Sequence, residues 1–486
     1  MSITDTRPAE DNSPSAPPIP DDSPRSGARR RLHLAPLALR LHFYAGFFVA
    51  PFILIAALTG ALYAIAPTIE GFVSRDLLQV DTTSVDQALS AQVGAAVATR
   101  PDLTLVAVAP APNEGDTTRV LFNDPALGDS ERLSVFVDPH TAQPVGESVV
   151  YGSGGALPLR TWLSEFHRSL HLGEPGRLYS ELAASWLWVI ALFGLVLWVN
   201  RVRKRRERRS AQWLLKPDLS QTRRRKMNWH GVIGVWILPV VLLLSATGMT
   251  WSTYAGENVT KLREELSWTT PAVSAKLPGT AGPAQSSGGD HHSGGQTVAA
   301  PVDLSARIAQ LDRVYAVARA EGLTQGAEIA VPATPEMAFG IKELRLPGTY
   351  TVDSLAVDGS TGTVTDRLAF ADWPLMAKLT NWGIAFHMGL LFGPLNQLLL
   401  LAIMAGLVTV IVLGYRMWWQ RRPTRRAALP APPRRGVLRR TSPWITVPLV
   451  AAAVAVGWFL PLIGVSVVVF LLVDVALGLA ARADQV

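Results

Sequence analysis

Five stretches of the 486-residue chain contain no Asp, Glu, Lys or Arg: residues 41–69, 182–200, 227–256, 379–415 and 441–473. A helix needs about 20 mostly apolar residues to cross a hydrocarbon core roughly 30 Å thick. Four of the stretches therefore predict single membrane helices, at about 44–67, 179–200, 231–253 and 396–418. The fifth continues through Asp474 and carries Pro461 at its middle, which predicts a hairpin of two short helices. The polar segments read differently. Leu304, Ile308, Leu311, Val314, Val317 and Ala318 share one face of a helix over 303–322. β-rich runs follow at about 326–331, 337–345, 349–357 and 362–366, separated by Pro and Gly turns. Residues 156–176, with Arg160, Glu165 and Arg168, predict an amphipathic interfacial helix that breaks at Gly173, Pro175 and Gly176.

The chain repeats itself. His42, Gly46, Pro51, Thr59 and Gly60 recur 188 residues later as His230, Gly234, Pro239, Thr247 and Gly248. At an offset of 220, Trp162, Phe166, His167, Leu170, Gly173, Gly194 and Trp198 recur as Trp382, Phe386, His387, Leu390, Gly393, Gly414 and Trp418. The second match extends upstream, from Ser134, Val137, Asp138 and Thr141 to Ser354, Val357, Asp358 and Thr361. Both copies run the same way, so a pseudo-two-fold axis along the membrane normal is expected.

These patterns predict an α-helical membrane protein: a duplicated helix–domain–helix unit with four core transmembrane helices, two small α+β external domains and an appended hairpin. A disordered tail over 1–40 leads to a first span over 41–69. An external domain with its interfacial helix fills 70–177, followed by a span over 178–200 and a basic loop over 201–229. The second copy has a span over 230–253, an external domain over 254–385 with a flexible insertion at 278–300, and an interfacial segment and span over 386–418. A second basic loop over 419–442 precedes the hairpin over 443–481.

Charge orients this plan. The net charge of +7 hides a strong asymmetry. Residues 201–226 hold twelve Lys/Arg and two acids, and 416–440 hold nine Arg and no acid. The segment 70–181 has seven basic and fifteen acidic residues, and 257–378 has ten and fourteen. Short Arg-rich loops stay in the cytoplasm, so both acidic segments are expected outside and the N-terminus inside. The Arg runs are read as topology signals and lipid anchors, with no nucleic-acid partner.

Composition then narrows the chemistry. With no cysteine there is no disulfide, no thiolate metal site and no cysteine-ligated iron–sulfur cluster. Redox chemistry would have to use His, carboxylates or a non-covalent cofactor. Four of the nine His form repeat-related pairs, His42 with His230 and His167 with His387. His171 lies one turn after His167 and faces the same way on a helix, and its equivalent position is Leu391. An interfacial His alone is an ordinary amphipathic anchor. Two facing across a pseudo-two-fold axis can supply the axial nitrogens of a b-type haem. One iron cannot draw ligands from both membrane faces, so two haems are expected: one on His42 and His230, the other on His387 with His167 or His171. Gly46 and Gly234 follow the inner pair by four residues and serve either a flat macrocycle or close helix packing. Arg40 and Lys226 on one side, and Arg160 or Arg168 on the other, are candidate propionate partners. His291 and His292 form a surface pair in the insertion.

The segments LHFYAGFFVAPFILIAALTGALY (41–63), FHRSLHLGEPGRLYSELAASWLWVIALFGLVLW (166–198), WHGVIGVWILPVVLLLSATGM (229–249) and FHMGLLFG (386–393) resemble the PepSY-associated transmembrane family. Its members are often described as iron-regulated membrane proteins and include inner-membrane ferric-siderophore reductases. The resemblance covers about residues 36–480. It implies PepSY-type external domains, a bacterial cytoplasmic (inner) membrane location, and haem-bearing helices that pass electrons outward to ferric siderophore. It assigns ligand roles to His42, His167, His230 and His387. The electron donor would be a cytoplasmic reductant or a quinol. The second copy departs from the motif, with Met388 and Leu391 where the first has Arg168 and His171.

An oxidoreductase of the ferric-siderophore reductase type is the leading expectation. The alternatives are a non-redox PepSY protein that binds a peptide or protease, and a siderophore permease.

Overall fold

The computed structural model describes residues 34–82, 85–204, 215–217, 225–278, 303–323, 326–420 and 443–483. The tail before residue 34, most of both basic loops, and the insertion with His291 and His292 lie outside the described residues.

The first span is a broken helix, α1 (Leu34–Phe48) and α2 (Ala50–Ala64), bent by 59°. Helix thus begins inside the tail expected to be disordered, where Leu34, Leu37 and Leu39 already supply apolar residues. The bend has a local cause. Pro51 has no N–H to give the Phe47 carbonyl one turn back. The Tyr415 hydroxyl donates to that carbonyl instead, at 2.7 Å. Its repeat partner Pro239 sits inside an unbroken helix.

Two short helices, α3 (Ala66–Val73) and α4 (Arg75–Leu78), lead out of the bundle to α5 (Leu89–Thr99). Strands β1 (Thr104–Ala109), β2 (Thr118–Asn123), β3 (Glu131–Val137) and β4 (Pro144–Tyr151) follow. The chain returns through α6 (Pro158–Ser169) into the long α7 (Glu174–Lys204). The second copy repeats the route with α8 (Arg225–Met249), α9 (Tyr254–Glu265) and α10 (Leu304–Ala320). Then come β5 (Ala327–Ala330), β6 (Phe339–Glu343), β7 (Ser354–Val357), β8 (Val364–Leu368), α11 (Leu375–His387) and α12 (Pro394–Gln420). The C-terminal hairpin is α13 (Pro443–Phe459) and α14 (Pro461–Ala483), which touch where Gly457 meets Gly464.

The two external segments do not form the two separate domains expected. They build one eight-stranded antiparallel sheet, in the order β4-β3-β2-β1-β5-β6-β7-β8. The seam pairs Ala107 with Ala330 and Val108 with Ile329. Helices α5 and α10 lie over this sheet and share one core with it, in which Val93, Val108, Leu311, Val314, Ile329 and Phe339 are fully buried. Asp312 on α10 accepts from the Ser90 amide and hydroxyl of α5. Pairing β1 with β5 satisfies two strand edges that separate domains would leave open.

Among the described residues four helices, α7, α8, α12 and α14, are long and apolar enough to cross a membrane, and the bent α1–α2 pair, taken as one span, makes a fifth. The chain is a multi-pass membrane protein. Ser245 ties two of the spans together by donating to the Ala184 carbonyl at 2.6 Å.

Candidate functional site

The four repeat-related histidines meet as two pairs, one at each end of the bundle. His42 and His230 approach with ring centroids 6.1 Å apart and planes at 81°. His167 and His387, at the sheet end, lie 6.4 Å apart at 55°.

Each ring is held by its Nδ1. His42 Nδ1 is 2.9 Å from the Ile190 carbonyl on α7, and His230 Nδ1 is 2.9 Å from the Val410 carbonyl on α12. A carbonyl can only accept, so both Nδ1 atoms carry the proton and both Nε2 atoms present a lone pair. At the sheet end the partners are hydroxyls, Thr59 Oγ1 at 2.9 Å from His167 and Thr247 Oγ1 at 2.7 Å from His387. Each hydroxyl already donates to its own helix, Thr59 to the Ile55 carbonyl and Thr247 to the Leu243 carbonyl. Each therefore accepts from Nδ1, and Nε2 is again free to ligate. Burial pushes the His167 imidazole down to about 4 and, with the neighbouring His167, the His387 imidazole down to about 3. Both are neutral at pH 7, the form that binds metals.

Glycines let the rings in. A Cβ at Gly194 would stand 2.9 Å from His42 Cε1, and one at Gly60 would stand 3.0 Å from His167 Cε1. Their repeat partners Gly414 and Gly248 face His230 and His387 at 3.6 Å. Gly46 and Gly234 are different: a Cβ at either would meet nothing within 4 Å. Close helix packing therefore does not account for these two.

The spacing fits a shared metal. Imidazole nitrogens sit about 2.0–2.1 Å from a bound metal, which with roughly 1 Å from nitrogen to ring centre separates two axial rings by about 6 Å. Both pairs match. Among the described residues no three or more His, Asp or Glu gather as a metal site. Two imidazoles alone leave an ion short of ligands, and a tetrapyrrole brings the missing four.

The sheet-end pair opens on a cavity of about 300 Å³ between the helices. Tyr63 and Trp251, themselves 188 residues apart, stand against one ring each. Tyr63 is parallel to His167 at 6.4 Å, and Trp251 is edge-on to His387 at 5.5 Å.

Comparison with protein families matches the PepSY-associated TM region over residues 39–421. The chain belongs to this family. No curated protein matches it.

The family match ends before α13 and α14, so Asp474, which lies 3.4 Å from Arg40, is contributed from outside the matched region. Within the PepSY-associated region His171 stands apart from the pairs. Helix α6 ends at Ser169, and Leu170 and His171 both take left-handed backbone, at φ of 52° and 55°. The ring turns out onto Trp162, at 4.9 Å, and Phe166. The same-face geometry expected from helical spacing therefore fails one residue past the helix end. A Cβ at Gly176 would collide with the Ser169 carbonyl, so the turn is as tight as glycine allows.

A buried acid was also missed. Glu181 of α7 is 1% exposed and accepts from the amides of Tyr254 and Ala255 at the start of α9. Thr59, Thr247 and the four ring-facing glycines recur between the repeats, so the signal for them was present. Their pairing with particular histidines required the helix packing.

Proposed function

We propose that this chain carries electrons across the membrane through two haem b groups and delivers them, on the sheet side, to a ferric siderophore. The observation that carries this reading is the twofold recurrence of a histidine pair with Nδ1 held, Nε2 free and centroids about 6 Å apart. Bound between such nitrogens, haem supplies a reversible one-electron couple.

The protein's own part is placement. His42 and His230 hold one site, and His167 and His387 the other, each ring fixed by a carbonyl or threonine hydroxyl that leaves it little freedom to turn. Seventeen residues of α8 separate His230 from Thr247, the partner of His387, or about 25 Å of rise. The sites thus lie toward opposite faces, as a relay requires. The Arg-rich loops favour the cytoplasm for the His42 end, with an intracellular or quinol donor, and the outside of a bacterial inner membrane for the sheet. At the acceptor, one electron converts hard-ligand-bound ferric iron to ferrous iron, which the oxygen ligands hold less well. The two external modules are read as PepSY-like halves of the shared sheet.

Reduced-minus-oxidised spectra with a haem count test the proposal. Two haems per chain are expected, one lost on His230→Ala and the other on His387→Ala. Protein made with ample haem and showing no haem bands would defeat it. Unchanged iron use by a well-inserted His230→Ala variant would favour the peptide-binding alternative.

A further inference from the structure

We propose that Arg160, Arg168 and Arg345 form a carboxylate-binding rim above the His167–His387 pair, and that its ligands are the propionates of the macrocycle held there. This rests on the haem reading and adds how that cofactor is oriented.

All three arginines are among the residues that line the cavity containing the two histidines. Their local partners differ. Arg160 is 3.5 Å from Glu70 and donates to the Gly154 carbonyl at 2.9 Å. Arg168 pairs with Glu165 and donates to the Tyr151 hydroxyl at 3.2 Å, while its buried Nε has no hydrogen-bond partner. Arg345, reaching in after β6, donates only to the neutral Asn381 side chain, through Nη2 at 2.7 Å and Nε at 3.2 Å. Among the described residues no acid lies within ion-pair distance of Arg345. Glu181 also lines the cavity, but its oxygens accept from the first amides of α9, whose positive end offsets its charge. The rim is therefore left with one uncompensated cation, Arg345, and two buried donors without hydrogen-bond partners, Arg160 Nε and Arg168 Nε.

Repeat symmetry makes this informative. The positions equivalent to Arg160 and Arg168 are Thr380 and Met388, so these two cations have no counterpart in the second copy. A ligand between two near-equivalent histidines would otherwise have two edge-on orientations. The rim selects the one with its carboxylates beside Arg160 and Arg168. Guanidinium groups suit this because their forked donors match carboxylate geometry.

An anionic ferric chelate could present the same carboxylates, so the test must separate the two sources. Full-length protein carrying His42→Ala, which leaves only the sheet-end site, is prepared without haem and titrated with ferric haem or its dimethyl ester, following the Soret band. Hydrogen bonds to charged groups predict that the ester binds about 10–100-fold more weakly than the free acid. Arg345→Leu should weaken the acid to nearly the ester's level and leave the ester unchanged, and Arg345→Lys should restore part of the difference. Arg168→Gln provides a second variant should Arg345→Leu fold poorly. Equal weakening of acid and ester, or an acid-to-ester ratio untouched by both variants, overturns the rim. So does a variant that binds both haem forms normally but loses affinity for ferric citrate. A parent with no Soret change for either form instead brings down the haem reading itself.

Discussion

Thr247 has a job that its own side chain cannot reveal in isolation. Its hydroxyl donates down α8 and accepts from His387, fixing the tautomer that leaves Nε2 bare. Thr247→Val keeps the shape and removes the acceptor. Outer partners of metal-binding histidines typically contribute 10–100-fold in affinity, so haem retention at the sheet-end site should fall by about that factor, while Thr247→Ser keeps it. The glycines make a sharper forecast because the repeat is imperfect. At Gly194 and Gly60 a methyl would press on its histidine ring at 2.9–3.0 Å, whereas at Gly414 and Gly248 it would rest at 3.6 Å, ordinary contact. On the proposed reading Gly194→Ala should displace His42 and abolish haem binding at the His42–His230 site, and Gly414→Ala should be tolerated, as a haem count on each variant would record. From the sequence alone Gly194 is equivalent to Gly414 and Gly60 to Gly248, because matching letters carry no distances. His171 was misplaced for a related reason: helical spacing assigns faces only while the helix lasts.

At the scale of elements, the uncharged runs located the spans but not their ends, since α1 begins ten residues before the expected 44; the β-rich runs of the second module overlap all four of its strands, although the third begins at 354 and not at 349. The pattern did not foresee the bend between α1 and α2. Pro51 and Pro239 occupy equivalent positions, yet only the first sits at a break. What distinguishes them lies on another helix, since Tyr415 reaches the carbonyl that Pro51 leaves without a donor. In hydrocarbon an unmet carbonyl has no water to turn to. Tyr415→Phe should therefore destabilise the bundle by about 1–3 kcal/mol. In a Pro51→Ala background, where an amide is restored one turn along, the same change should cost less. A double-mutant cycle on thermal or denaturant stability in detergent measures the difference, and equal costs would show that Tyr415 acts through packing alone.

The whole molecule is where the duplicated sequence misled most. Two homologous polar segments read naturally as two domains, since each contains its own helix and four strands. Pairing across copies is invisible to a repeat search, which reports likeness and not adjacency. In the folded chain β1 and β5 complete each other's edge, so the two copies are tied together by a single sheet at the end of the bundle that holds His167 and His387. That arrangement suits a site needing residues from both copies, as His167 and His387 do. It is open to direct test because the chain has no cysteine to confuse the result. Val331 N donates to the Val106 carbonyl, which makes the adjoining Ala107–Ala330 position a pair without mutual hydrogen bonds. Such pairs hold their Cα atoms about 4.5 Å apart, inside the roughly 4.4–6.8 Å range a disulfide spans. Ala107→Cys with Ala330→Cys should therefore cross-link on mild oxidation in the intact protein, read as a mobility shift reversed by reductant. Shifting one cysteine to Val108, which points to the opposite face of the sheet, should abolish it. If the paired variant stays reduced while both thiols react freely with a soluble reagent, the modules are separate and the shared sheet is wrong.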